Sequence, residues 1–237
     1  MKPALCTAFA ACLLAGTAGA TTVTGGALLD TAGADRLEAW LGDGDLDFTN
    51  LWTGTGGVST ASEFHTAVDG AGPTFSLYGI SFAGGGTAVV GGYTSLDWGG
   101  AGGYFADAAA FIFNLTSDEV QTSQANPQYA IYRSAAYFPT FGGGHDLFGG
   151  YGTLATYGGT ASANGDGYAY AHSYDLAQGA ITTSGAPGAT FDNSWSVSSL
   201  EVYAIAPASP VPLPATLTLL MAGLGGLVAL RRRSRDA

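Results

Sequence analysis

At 237 residues the chain has room for one domain and terminal signals, and an apolar content of 47% with 12% aromatics excludes a disordered polymer. Between residues 21 and 210, seventeen carboxylates face two arginines, Arg36 and Arg133; the resulting formal charge of −15 repels phosphate backbones and excludes nucleic-acid binding. Both cysteines, Cys6 and Cys12, fall within the first twenty residues, so thiol catalysis and cysteine metal sites are excluded from everything that follows.

Residues 1–20 read as a secretory signal peptide: Lys2, an apolar run from Leu5 to Leu14, then the small residues Ala18-Gly19-Ala20 ahead of a cut before Thr21. The run is too short and too rich in Ala and Gly for a membrane span, and Phe9-Ala10-Ala11 is a poor lead-in for lipidation of Cys12. A single domain is expected over 21–206, since no internal repeat and no long linker interrupts it.

"TAGADRLEAWLGDG" places Leu37, Trp40 and Leu41 at helical spacing, and Gly42 ends the pattern. Asp43, Asp45 and Asp47 follow as D-x-D-x-D, the opening of a calcium loop with hard oxygen donors. Phe48 stands where such a loop needs Gly, and Gly54 where it needs Glu, so a solvated acidic turn is the favoured reading and Ca²⁺ the lesser one. A second helix is expected in "STASEFHTAVDG". Thr60 and Glu63 have capping-box spacing, Phe64, Ala67 and Val68 form its face, and Gly70 stops it.

Strands are expected from there on. "PTFSLYGISF" and "GTAVVGGYTSL" flank Gly84-Gly85-Gly86 as a hairpin, and the continuous apolar run "AAAFIFNL" fits a strand buried on both faces. "QYAIYRSA", "DGYAYAHSYDL" and "SWSVSSLEVYAI" complete the set, each bounded by turn residues. The pattern predicts a mainly β chain: an antiparallel β-sandwich with two short flanking helices, followed by a C-terminal transmembrane-type helix.

No serine-hydrolase elbow and no phosphate loop is present. His65, His145 and His172 are scattered, which favours structural or solvent-facing roles over metal ligation. Asp107, Asp146 and Glu201 are the first suspects for a paired-carboxylate hydrolase, although acceptor roles in turns and strand pairing are favoured for each.

Six blocks in a fixed order, "EFHTAVDGAGPTFSL", "VVGGYTSLDW", "YFADAAAFIFNL", "AIYRS", "PTFGGGHDLF" and "WSVSSLEVYAI", resemble the TLDc domain from about Leu37 to Ile205. Their motif positions are His65, Gly91, Gly92, Asp107, Gly142, Asp146 and Glu201. The resemblance implies a sandwich of antiparallel sheets with flanking helices. Eukaryotic members are associated with oxidative-stress resistance and with the vacuolar proton pump, a partner out of reach for an exported bacterial protein. Thr53 after Trp52, and Gly56-Gly57 at the following turn, depart from the family pattern.

The chain ends in a proline-rich linker at 207–215, an uncharged apolar segment at 216–230 and a basic tail at 231–237. As a helix the apolar run is about 24 Å long, short of a ~30 Å hydrocarbon core, but Arg231, Arg232 and Arg233 can snorkel and stop transfer on the cytoplasmic side. Val211, Pro212, Leu213, Pro214 and Ala215, followed by this segment and the arginines, resemble the VPLPA variant of the PEP-CTERM sorting signals. In that family an exosortase cuts near the motif and releases the protein to the cell surface or beyond.

These readings converge on an exported, non-catalytic structural or interaction module with no cofactor. Its expected partners are exosortase, the export machinery and surface polysaccharide or matrix components. A Ca²⁺-dependent glycan binder and a carbohydrate-active hydrolase are the alternatives.

Overall fold

Asp30 starts the first helix because its carboxylate accepts a 2.7 Å hydrogen bond from the otherwise orphaned Gly33 N–H, and Gly42 ends it at φ 82°. That helix belongs to a computed structural model describing residues 19–82, 86–122, 124–143, 145–154, 168–169, 173–174 and 195–210. The chain divides into two compact units: Thr21–Ala208, and a second made of Met1–Ala20 with Ser209–Ala237. In the second, the described residues include an antiparallel bridge between Gly19 and Pro210. The expected leader through Ala18, the motif Val211–Ala215, the apolar segment 216–230 and Arg231–Arg233 lie outside the described residues, as does His172. Among the described residues no helix is long and apolar enough to cross a membrane.

The larger unit begins with β1 (Thr22–Thr24), α1 (Thr31–Leu41), β2 (Leu46–Thr55) and α2 (Ala61–Val68). Strands β3 (Thr74–Phe82), β4 (Thr87–Thr94), β5 (Gly103–Phe105), β6 (Phe111–Asn114) and β7 (Glu119–Gln121) follow. A 3₁₀ turn at Pro127–Tyr129 leads to β8 (Ile131–Arg133), β9 (Thr140–Phe141), β10 (Leu147–Phe148), β11 (Tyr168–Ala169) and β12 (Trp195–Pro207). Seven strands pair in the order β1-β2-β12-β3-β4-β6-β7, and five in the order β11-β10-β9-β8-β5.

Among the described residues the strands pair antiparallel except at one edge. Strand β1 runs parallel to β2, with Thr22 opposite Asp47 and Thr24 opposite Thr49, which corrects the expectation of purely antiparallel sheets. The connection through α1 crosses over the sheet face, as a parallel pair requires.

Two apolar clusters lie on opposite faces of the seven-stranded sheet. One joins Tyr78, Val90, Ile112 and Leu200 to Ile131, Phe141 and Leu147 of the five-stranded sheet, which makes the structure a sandwich. The other packs Phe48, Phe75, Leu77, Phe113 and Tyr203 under Ala34 and Leu37 of α1. All four β6 residues are buried because Ile112 enters the first cluster while Phe111 and Phe113 enter the second. Strand β2 serves both clusters through a bulge. Val202 faces Trp52 and Tyr203 faces Asn50, so Leu51 is the extra residue. That insertion moves Trp52 to the inter-sheet side while Leu46 and Phe48 stay under α1.

Helix α2 carries the expected capping box: the Thr60 hydroxyl accepts from Glu63 N, and the Glu63 carboxylate accepts from Thr60 N at 2.7 Å. Its buried face is Ala61, Phe64 and Val68; Ala67 is exposed, which corrects the expected stripe. Strands β3 and β4 pair as the expected hairpin. Trp98 is buried and donates its indole N–H to Thr74, whereas Trp52 is half-buried.

Candidate functional site

Three carboxylates singled out by sequence are buried, and each holds two chain segments together. Asp107 precedes β6 and accepts from the Thr94 hydroxyl at 2.7 Å, from Ser95 N and Oγ at 2.7 and 2.8 Å, and from Ala109 N at 3.1 Å. It ties the end of β4 to the start of β6. Glu201, in β12, faces the α1 side. It accepts from Ala27 N at 2.7 Å, Leu28 N at 2.9 Å and the Tyr203 hydroxyl at 2.5 Å, which anchors the segment leading into α1. Burial, and then the neighbouring carboxylate of Glu201, push the Tyr203 hydroxyl far above its ordinary value. Sequence reading missed Glu38, which works in the same way. This nearly buried α1 carboxylate accepts from the Thr21 hydroxyl at 2.8 and 2.9 Å and from Leu46 N at 2.6 Å. A glutamate on a helix face beside Leu37 gives no local sign of burial.

The glycine-rich turn between β9 and β10 places the third carboxylate. Gly142 has φ 86°, and a Cβ there would stand 2.1 Å from Asp146 Oδ1, so only glycine fits. Asp146 in turn accepts from Ser173 N at 2.6 Å and Tyr174 N at 2.7 Å. The Tyr174 hydroxyl donates to Ala130 O at 2.9 Å. Gly92 serves the sandwich itself: a Cβ there would lie 2.6 Å from the Phe141 ring, which packs flat on β4 from the opposite sheet. Gly91, on the other face, is hemmed in by Ser76 O and the Phe113 ring.

His65, in α2, lies with Nδ1 2.7 Å from Asp69 Oδ1, and its Nε2 faces the Ser134 and Tyr137 carbonyls at 3.0 Å each. Both carbonyls accept, so the Nε2–H donates to them and clamps α2 to the loop after β8. The three candidate calcium ligands spread along a bend and the first residues of β2. Asp43 and Asp45 are exposed, the Asp45 carbonyl accepts from Ala208 N at 2.9 Å, and the Asp47 carboxylate accepts from the Thr22 hydroxyl. Among the described residues no group of three or more His, Cys, Asp or Glu side chains is placed to hold a metal.

What the five-stranded sheet turns outward is aromatic. Tyr104 of β5 stands directly across from Tyr132 of β8, with ring centroids 4.8 Å apart. Tyr132 meets Tyr137 at 5.0 Å, and Tyr137 stacks on Tyr151 at 5.6 Å and 27°. His145 inserts its ring among them, 5.3 Å from Tyr132 and 5.6 Å from Tyr137, from a left-handed backbone at φ 59°. Tyr104 and Tyr151 remain 40% and 45% exposed although they are large apolar rings. Burial lowers the His145 pKa from its ordinary value, and burial first, then neighbouring hydroxyls, raises those of Tyr104 and Tyr137. Burial therefore favours the neutral forms of these three side chains. Sequence reading gave His145 a structural or solvent-facing role and missed the tyrosines, because long-range pairing brings them together: strand register sets Tyr104 across from Tyr132, and a bridge sets Tyr137 across from Tyr151.

Residues 53–206 match the family model of the TLDc domain. The match begins within β2, sixteen residues later than the expected start at Leu37. No curated protein matches the chain.

Proposed function

The chain belongs to the TLDc domain family, and from that premise we propose that it is an exported bacterial module that binds or builds rather than catalyses, at the cell surface or in the extracellular matrix. The observation that carries this reading is how the suspect carboxylates are employed. Asp107 and Glu201 accept from backbone N–H groups and hydroxyls, and Asp146 accepts from backbone N–H groups, so each joins parts of its own domain. A general acid or nucleophile needs its oxygens turned toward substrate. The reading requires no cofactor.

Export follows from the leader and the tail. Residues 1–20 direct the chain outward, 216–230 hold it transiently in the inner membrane with Arg231–Arg233 inside, and an exosortase cuts near Val211–Ala215. In support, the larger compact unit runs from Thr21 to Ala208, between the two expected cuts.

Intact-mass measurement and fractionation in a host with and without an exosortase test this. The expected product begins at Thr21, lacks the residues beyond the motif and leaves the membrane only when the exosortase is present. Recovery of nothing but full-length, membrane-bound chain in both hosts would overturn the sorting scheme.

A further inference from the structure

We infer that the outward tyrosine face around Tyr104, Tyr132, Tyr137, His145 and Tyr151 is a binding surface for neutral polysaccharide, independent of calcium. This rests on the module reading above and names the ligand class of that module.

Three observations select the occupant. First, the rings form a continuous row with centroid steps of 4.8, 5.0 and 5.6 Å from the exposed Tyr104 to the exposed Tyr151, and Tyr129, also exposed, packs edge-on against Tyr104 at 5.3 Å. Tyrosine offers a flat apolar ring with a hydroxyl at its rim, at a cost of only two rotatable bonds. That pairing complements a sugar ring, which has an apolar C–H face and hydroxyls around its edge. Second, the surroundings reject charge. Residues 21–210 carry −15, and neither of the two arginines there lies on this face: Arg36 belongs to α1 and donates to Leu115 O, and Arg133, next along β8 to the outward Tyr132, donates to Asp97 O and Gly99 O while lying 3.6 Å over the Phe105 ring. The face therefore has no arginine to grip a uronic acid or a phosphate, and a second copy of the chain would bring an equal negative charge against the first. Third, the face is held in shape. His145 sits at positive φ beside Gly142 and Asp146, and the Tyr104 hydroxyl donates to Gly143 O at 3.0 Å. A surface fixed before binding loses little freedom on contact.

The test is native affinity electrophoresis of the full-length chain in a detergent without a sugar headgroup. Separate gels carry a neutral mixed-linkage β-glucan, a neutral galactomannan, or alginate, each with and without EDTA. The expected result is retardation by at least one neutral polymer, none by alginate, and no effect of EDTA. Tyr104→Ala and Tyr151→Ala should each weaken retardation on the order of tenfold, and Tyr104→Phe, which keeps the ring, by less. Thermal melting confirms that the variants fold; should the alanine variants unfold, Tyr151→Ser at the most exposed ring takes their place. The inference is overturned by passage unretarded through both neutral polymers, by retardation that survives in a folded Tyr104→Ala/Tyr151→Ala chain, or by binding abolished with EDTA. A dimer in size-exclusion that the double variant dissolves would overturn it too, by making a second copy the occupant. Because the assay needs neither export nor cleavage, its failure would leave the sorting scheme standing, and failed sorting would leave a positive gel shift intact.

Discussion

Between the sheets, Tyr78, Ile112 and Phe141 are enclosed by strand against strand; on the far face, Phe48, Phe75 and Phe113 are covered by a single helix and the segment that feeds it. Every buried member of the first cluster lies within residues 53–206, whereas Leu29, Ala34, Leu37, Leu46 and Phe48 of the second precede that span. The first is closed by shape, with Gly92 admitting the Phe141 ring. The second is fastened by carboxylates, Glu38 gripping Thr21 and Leu46, and Glu201 gripping Ala27 and Leu28. The matched span therefore supplies the buried residues between the sheets but not the cover over the second face. A sheet face that bears Phe75, Leu77 and Phe113 has to be covered for the frame to be stable in water.

The largest effect should come from removing the cover. A chain starting at Thr53 loses β1, α1 and most of β2, and is expected to show no cooperative thermal transition and to bind a hydrophobic dye; a native-like transition would show that the two cores stand independently. Leu37→Ala, which leaves a cavity under α1, should cost about 2–5 kcal/mol in denaturant melts. On the inter-sheet side, Gly92→Ala should cost about 1–3 kcal/mol by overpacking against Phe141. Adding Phe141→Leu should recover part of that loss in a double-mutant cycle, whereas additive losses would remove the close-approach explanation.

Proton linkage touches both cores through their tyrosines. Burial raises the pKa of Tyr78 and Tyr174 between the sheets and of Tyr93 and Tyr203 under α1. These hydroxyls stay protonated in the fold when an unfolded chain has begun to ionise at about pH 10, so stability is full below that pH and falls as pH rises beyond it. Phenolate absorbance should appear together with loss of circular dichroism, and Tyr203→Phe should flatten the alkaline slope. The smallest effect belongs to His145, whose pKa is lowered by burial. Its contribution is full above about pH 6.5 and declines as pH falls through the window beneath, because the unfolded chain takes up the proton first. His145→Gln should lose that acid-side slope when melting is followed from pH 8 to 5.

Both helices were legible because caps and 3.6-residue spacing are local: Thr60 and Glu63 announce α2, and Leu37 with Gly42 announces α1. The β3–β4 hairpin and the doubly buried β6 were legible from apolar runs. Strand β2 was hidden, since alternation of Asp45 and Asp47 with Leu46 and Phe48 writes the same letters as the opening of an acidic cation loop. Strands β9 and β10 have two residues each, too few to show any period. At the candidate site, Asp107, Asp146 and Glu201 could be named from the sequence, but their hydrogen-bond partners could not, since Ala27 lies 174 residues from Glu201. The tyrosine row was invisible for the same reason: long-range pairing, not sequence neighbourhood, assembles it.

Asp47 has Thr22 on one side and Ala206 on the other, so the first and last strands of the domain leave from the same end of β2, roughly two strand spacings or about 10 Å apart. A load applied across the two ends would part β1 and β12 from β2 like a zipper, one pair of hydrogen bonds at a time, the geometry in which a β-sheet resists least. The same closeness means that a short linker could join the two ends and new ends be opened elsewhere without disturbing the order of the strands.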